Sequence, residues 1–190
     1  MTDQKLWEQL KAGDQAALQQ IYQDHAAVLI QYGRKFSIDD SLIEDCVQEL
    51  FVDLWQKRDG LSNTTAIRPY LFVALRRRVI KQVEKLRKTV SSEEPEEDQF
   101  QAEFAIDERI IAEELSAEQA AQLKTAMQQL SRRQQEALYL KYFANMDYQD
   151  IGEAMDISYQ SVRNLVFNAL QALRKYFIWP FLWWASNFFQ

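Results

Sequence analysis

Apolar side chains recur every three to four positions over most of this chain, the spacing of helices that bury one face. Ala17-Leu18, Ile21-Tyr22, Leu29, Tyr32 and Phe36 mark a first stripe, which Gly33 interrupts without ending. The polar run Ser37-Ile38-Asp39-Asp40-Ser41 predicts the start of the next helix, with Ser41 as cap and Glu44 completing a capping box. Leu42-Ile43, Cys46-Val47, Leu50-Phe51 and Leu54-Trp55 come next at helical spacing. Asp59-Gly60-Leu61-Ser62-Asn63-Thr64-Thr65 is a loop by composition. A third helix begins near Pro69, which suits a first turn, and runs through Tyr70-Leu71, Ala74-Leu75, Val79 and Val83.

Val90 to Gln99 is too acidic and too poor in apolar residues to offset its own ordering entropy, and reads as a linker. Helical pattern returns with Phe104 to Leu115 and continues from Ala117 to Leu130. Residues 148–163 then predict a short helix, a tight turn and a second helix. Ile151 and Ala154-Met155 share a core face, Asp156 tolerates a left-handed turn, and Ser158 can cap the second helix. Val162, Leu165 and Val166 bury one side of that helix, leaving Tyr159, Gln160, Ser161, Arg163 and Asn164 outside. That is the layout of a helix-turn-helix, whose second helix offers side chains to base edges in the major groove. A plain helical hairpin in a bundle fits the same stretch.

The expected fold is therefore all-α: two small helical domains joined by an acidic linker, the C-terminal one a helix-turn-helix. The boundaries are 1–89 for the first domain, 90–114 for the linker, 115–176 for the second domain and 177–190 for an aromatic tail. Four glycines and three prolines in 190 residues, with 47% apolar residues, agree with helices and ordinary cores. The single cysteine, Cys46, lies in an apolar stripe and reads as a small buried hydrophobe. The polar N-terminus carries no signal-peptide pattern, so a reducing cytoplasm is expected.

A net charge of −6 argues at first sight against nucleic acid, but its distribution removes the objection. Residues 1–90 hold 14 basic and 12 acidic side chains, and residues 117–190 hold seven and six. Residues 91–116 set Arg109 against ten acids, so the acidity belongs to the linker. Within the first domain, Arg76, Arg77, Arg78, Lys81, Lys85, Arg87 and Lys88 face only Glu84. On a helix, Arg77, Lys81, Lys85 and Lys88 fall on one side, a spacing able to follow a phosphate backbone. Tyr70 and Phe72 lie just upstream, and single strands are held by stacking on such rings. A solvated helix face with core aromatics is the plainer reading of the same residues.

Two motifs together resemble the sigma-70 family, specifically its small extracytoplasmic-function (ECF) members. Leu42-Ile43-Glu44-Asp45-Cys46-Val47-Gln48-Glu49-Leu50-Phe51-Val52-Asp53-Leu54-Trp55 is similar to the family's core-polymerase-binding helix. The helix-turn-helix is similar to its upstream promoter reader, and Ile67 through Arg76 to its strand-opening helix. The resemblance implies a sigma factor that binds core RNA polymerase and directs it to promoter DNA, with no cofactor. It implies polymerase contacts at Asp45, Val47, Gln48, Glu49, Phe51 and Asp53. It implies downstream promoter contacts at Asn63, Thr64, Arg76, Arg77, Arg78 and Lys81, with the loop Leu61 to Thr65 capturing a base. Upstream contacts are implied at Tyr159, Gln160, Ser161, Arg163 and Asn164. Leu165, Phe167, Asn168 and Leu170 stand where basic or polar residues are common in the family, so the reader helix is expected to bind weakly on its own.

An anti-sigma protein is a further partner the resemblance allows. The family threads its linker through the polymerase cleft, whereas the composition here is equally that of a tether. Without the resemblance, a helix-turn-helix regulator with an N-terminal partner- or ligand-sensing domain fits too, as does a polymerase-binding adaptor without DNA recognition. Catalysis has no footing: His25 is the one histidine, the glycines are isolated, and neighbouring carboxylates such as Glu44 and Asp45 point to different helix faces. No metal-ligand spacing is present either. The tail, Phe177 to Gln190, is too short to span a bilayer. Packing or protein binding is its expected use ahead of membrane-surface contact.

Overall fold

The computed structural model describes residues 2–37, 39–90 and 117–174, so the body of the linker and the aromatic tail lie outside the described residues. The described residues form eight α-helices and no strand. Helix α1, Asp3–Lys11, starts on the Thr2 hydroxyl and buries Leu6, Trp7 and Leu10. The hydrophobic pattern does not predict this helix, because its exposed positions make the segment look polar. Helix α2, Gln15–Gly33, is capped by Asp14 and buries Ala17, Ile21, Leu29 and Tyr32 as the stripe predicts. Gly33 is required by proximity: a Cβ there would lie 2.5 Å from the Ile43 side chain on the next helix.

Helix α3, Asp40–Gln56, corrects one expectation. Its cap is Asp39, whose carboxylate accepts from the Leu42 amide at 3.1 Å, and Ser41 is already inside the first turn. Asp39 has the extended backbone that a cap requires, with φ −82° and ψ 97°. A 3-10 turn at Arg58–Gly60 and an open loop lead to helix α4, Ile67–Val90. That helix begins two residues before Pro69, which still sits in the first turn, where its missing N–H donor costs no intrahelical hydrogen bond. Its orphan Ile67 amide donates to the Asp3 carboxylate of α1 at 3.0 Å.

Helix α5, Ala117–Gln128, leads into α6, Arg132–Leu138, which opens with a capping box between Ser131 and Gln134. One π-helical turn, Tyr139–Phe143, ends α6 with Asn145 in the left-handed region. Helices α7, Tyr148–Met155, and α8, Tyr159–Arg174, complete the described chain. Helices α1 to α4 pack on one another, α5, α6 and α7 pack on α8, and α4 also lies against α7. The buried residues of both groups thus form one continuous core. Fully burying side chains such as Trp7, Phe72 and Leu140 contributes about 1.5–3 kcal/mol each. Among the described residues, no helix is long and apolar enough to cross a membrane.

Candidate functional site

Three surfaces carry the residues singled out by sequence. The first is the outer face of α3. Asp45, Gln48, Glu49 and Val52 are exposed and fall at i, i+3, i+4 and i+7, so they line one face. Val47 and Phe51 are buried, at 1% and 6% exposure, and are core residues rather than contact residues. The apolar element of the exposed face is instead Val52, 53% exposed, beside Tyr22 of α2, whose ring meets Phe51 edge-on at 4.9 Å. Asp53 is half-buried and points toward α4, where Arg78 donates to its carboxylate and to Glu49 (2.7 Å). Hydrogen bonds from Lys57 and then Arg78 hold the Asp53 carboxyl below the ordinary carboxylate range. Arg78 is therefore a cross-brace between α3 and α4, and it also lines the groove between them.

The second surface is a groove of about 450 Å³ between α3, the loop and α4. Leu54, Leu61 and Ala74 are among its apolar lining, Tyr70 adds a ring, and Lys57, Arg77 and Lys81 add positive charge. Arg77 and Lys81 are exposed as expected. Arg76 is not available there, because its guanidinium is turned to Glu136 of α6 at 2.7 Å. Tyr70 lines the groove, whereas Phe72, named with it as a stacking ring, is fully buried in the core. The sequence pattern misses Lys57, whose signal is spatial, since the loop brings the end of α3 over the start of α4.

The loop beside the groove is held from outside by α1. The Trp7 indole donates to the Ser62 carbonyl at 2.9 Å, and the Trp7 ring meets Tyr70 edge-on at 4.9 Å. Lys11 donates to the side-chain oxygen of Asn63 at 2.7 Å. Asn63 is exposed, with its amide donors on the side away from that bond. Thr64 is half-buried: its hydroxyl accepts from the Ala66 amide (3.1 Å) and donates to the Ala66 carbonyl (3.0 Å). Thr64 thus shapes the loop, and Asn63 is the one of the pair that faces outward.

The third surface is the helix-turn-helix. Asp147 caps α7 by accepting from the Gln149 and Asp150 amides at 2.8 Å. Asp156 takes the left-handed conformation, with φ 56° and ψ 48°, as expected for the turn. Gly152 is what lets the turn close: a Cβ there would lie 2.8 Å from the Ile157 carbonyl oxygen. Ser158 caps α8 through the Ser161 amide at 3.1 Å. Val162 and Val166 are buried, whereas Tyr159, Gln160, Ser161, Arg163, Asn164 and Phe167 are exposed. Gln160 and Asn164 join their amides at 3.1 Å along this outer face. No group of three or more metal-ligating side chains occurs among the described residues.

Known proteins match both parts of this arrangement, in order. The family model described as Sigma-70 region 2 matches residues 21–89, and that described as Sigma-70, region 4 matches residues 120–173. The RNA polymerase sigma factor NccH of Alcaligenes xylosoxydans xylosoxydans is 27% identical over 170 residues, covering 88% of this chain and 90% of its own. The ECF RNA polymerase sigma factor SigL of Mycobacterium tuberculosis is 27% identical over 173 residues, covering 86% and 90%. Among solved structures, CnrH in complex with the cytosolic domain of CnrY aligns with a TM-score of 0.60 at 20% identity, covering 91% of this chain and 95% of CnrH. The sigma factor RpoE of Bartonella quintana, in complex with the anti-sigma factor NepR, aligns with a TM-score of 0.57 at 19% identity, covering 85% and 97%. These structural likenesses speak to the fold.

Proposed function

The chain belongs to the sigma-70 family, in its extracytoplasmic-function branch, and from that premise we propose how its surfaces divide the work of transcription initiation. Sigma factors are not enzymes. They bind core RNA polymerase and direct it to promoter DNA. Residues 1–89 form the polymerase- and melting-element domain, 90–114 the linker, and 115–176 the upstream reader, with 177–190 as an appended tail.

Core polymerase docks on the α3 face through Asp45, Gln48, Glu49 and Val52, an acidic and polar stripe around one apolar knob. Such a face suits a basic, amphipathic partner surface. The melted strand runs along the groove, where Arg77 and Lys81 meet phosphates and Tyr70 offers a ring for stacking. Asn63 reads a base through its outward amide donors, so it favours a base edge that presents an acceptor. Tyr159, Gln160, Ser161, Arg163 and Asn164 read the upstream element from the exposed start of α8. An anti-sigma protein is a further expected partner, and the cytoplasm, where core polymerase works, is the site of action.

The observation that carries this reading is the ordered pair of region matches, each falling on a helical group that exposes the relevant face. The deciding experiment is in vitro transcription from a genomic promoter library with core polymerase, with and without this protein. Protein-dependent, promoter-specific initiation is the expected result. Its absence would sink the reading in favour of an adaptor.

A further inference from the structure

Helix α1 lies outside the residues matched by the region 2 family model, yet it grips the loop before α4 along its length. Trp7, 1% exposed, donates to the Ser62 carbonyl at 2.9 Å and meets the Tyr70 ring edge-on. The Asp3 carboxylate accepts from the Ile67 amide at 3.0 Å, where the loop enters α4. Between these anchors the Thr64 hydroxyl bonds both backbone groups of Ala66. The loop is thus pinned from Ser62 to Ile67. Lys11 stands one turn after Trp7 on the same face of α1, half-buried, and its ammonium donates to Oδ1 of the exposed Asn63 at 2.7 Å. Charge decides which end of the Asn63 amide is held. An ammonium carries three donors and no acceptor, so it pairs with Oδ1 and turns the Nδ2 protons outward. The oxygen and nitrogen ends are almost equal in size, so packing alone does not make that choice.

We infer that Lys11 is a specificity-determining residue for promoter recognition: by holding Oδ1 of Asn63 it makes that side chain a donor toward the base it reads. The inference rests on the proposed base-reading role of Asn63. A donor selects a base whose exocyclic group is a keto oxygen, guanine or thymine, over one that presents an amino group, adenine or cytosine. One hydrogen bond made with the right base and left unmade with the wrong one discriminates by about threefold to tenfold. Lys11 acts through Asn63 and is a positioning residue. A phosphate contact by Lys11 itself would act differently, changing affinity for every sequence alike and leaving the choice of base untouched.

The test uses the full chain with core polymerase, transcribing a promoter library randomised across the melting element. The position read by Asn63 is the one whose base preference disappears in Asn63→Ala. There the wild type should prefer guanine or thymine, and Lys11→Arg, still only a donor, should keep that preference. Lys11→Glu offers acceptors instead, so the amide turns over, presents Oδ1 and should reverse the preference toward adenine or cytosine. Lys11→Met should bring the two classes close to parity, and it carries the test if Lys11→Glu misfolds. Nitrogen-edited NMR of the free protein gives a second readout. The Asn63 side-chain amide protons should move downfield in Lys11→Glu, where they gain a carboxylate partner, and stay in place in Lys11→Arg. An unmoved amide signal in folded Lys11→Glu overturns the inference, as does one base preference shared by all Lys11 variants. A uniform loss of affinity with the preference intact assigns Lys11 to a phosphate and overturns it too. Absence of protein-dependent initiation, or an Asn63→Ala variant that erases no preference, overturns the proposed base reading and the selectivity built on it. The amide signal, read without polymerase or DNA, tells that failure from a failure of the Lys11–Asn63 pairing.

Discussion

The Tyr32 hydroxyl and the Glu136 carboxylate, 104 positions apart in sequence, share a buried 2.8 Å hydrogen bond. Burial, and then the neighbouring Glu136 charge, push the Tyr32 phenol well above its ordinary value, so it stays a donor at any physiological pH. A raised folded pKa means stability is fully present below the unfolded value near pH 10 and is lost as pH climbs beyond it. Urea unfolding should therefore weaken above about pH 10 in the wild type more steeply than in Tyr32→Phe. At neutral pH that variant should lose about 1 kcal/mol, the net worth of one hydrogen bond.

Arg76→Ala leaves Glu136 with one donor. In a rigid core, an unpaired buried charge costs about 3–5 kcal/mol. Urea unfolding of Arg76→Ala should show a loss of that order, and Arg76→Lys, which keeps the charge, a smaller one. A loss below about 1 kcal/mol would show that water reaches the Glu136 carboxylate.

None of this pairing was legible in the sequence. Glu136 sits in Arg132-Arg133-Gln134-Gln135-Glu136, a run that reads as a solvated face, and its partners are fixed only by tertiary packing. What local chemistry dictates was legible: the stripes of α2 to α4, the left-handed Asp156 and the Ser158 cap all stand where pattern puts them. Helix α1 left a short signal, Leu6, Trp7 and Leu10 on one face, that polar neighbours masked. The phase of α3 was also readable. Val47, Phe51 and Leu54 share the buried side, and Asp45, Gln48, Glu49 and Val52 the other.

That phase yields a paired prediction. Val52→Asp should weaken core-polymerase binding about tenfold or more with an unchanged melting temperature, because the side chain is already in water. Phe51→Ala should cost roughly 3–5 kcal/mol of stability through the cavity it leaves. Fluorescence anisotropy with core polymerase and thermal melts separate the two. Equal effects of both variants on folding would refute the assignment of faces.

Gly152 offers a test of the helix-turn-helix. An alanine there gains about 1 kcal/mol of helix propensity, yet its Cβ would lie 2.8 Å from a backbone oxygen that cannot swing away. The clash should win, with a net loss of roughly 1–3 kcal/mol as the turn shifts. Upstream promoter footprinting by the holoenzyme should weaken while core-polymerase binding persists.

In the groove, Arg77 and Lys81 are exposed and Arg78 is committed to Glu49 and Asp53. Removing a phosphate-contacting cation lowers the salt dependence of DNA affinity by roughly 0.7–0.9 in the log-log slope. Holoenzymes carrying Arg77→Ala or Lys81→Ala should each show that decrement on promoter DNA. Arg78→Ala should leave the slope near wild type and instead lower stability, by loosening α3 from α4.

His25 gives a pH test independent of function. It is the chain's one histidine and is partly buried on α2, with a buried Nδ1 that has no hydrogen-bond partner among the described residues. Burial first, and then the Arg68 charge, lower its pKa from the ordinary 6.5, against weaker opposition from Asp24 and Asp3. As pH falls below 6.5 the unfolded chain takes up this proton before the folded one does. Stability should therefore decline from about pH 6.5 down to the folded pKa and then level, with a slope no steeper than about 1.4 kcal/mol per pH unit from this group. Proton NMR of the single imidazole should titrate below 6.5, and His25→Gln should remove that part of the pH dependence from urea unfolding curves. A titration midpoint at or above 6.5 would show that the ring is solvated and that α2 sits differently against α4.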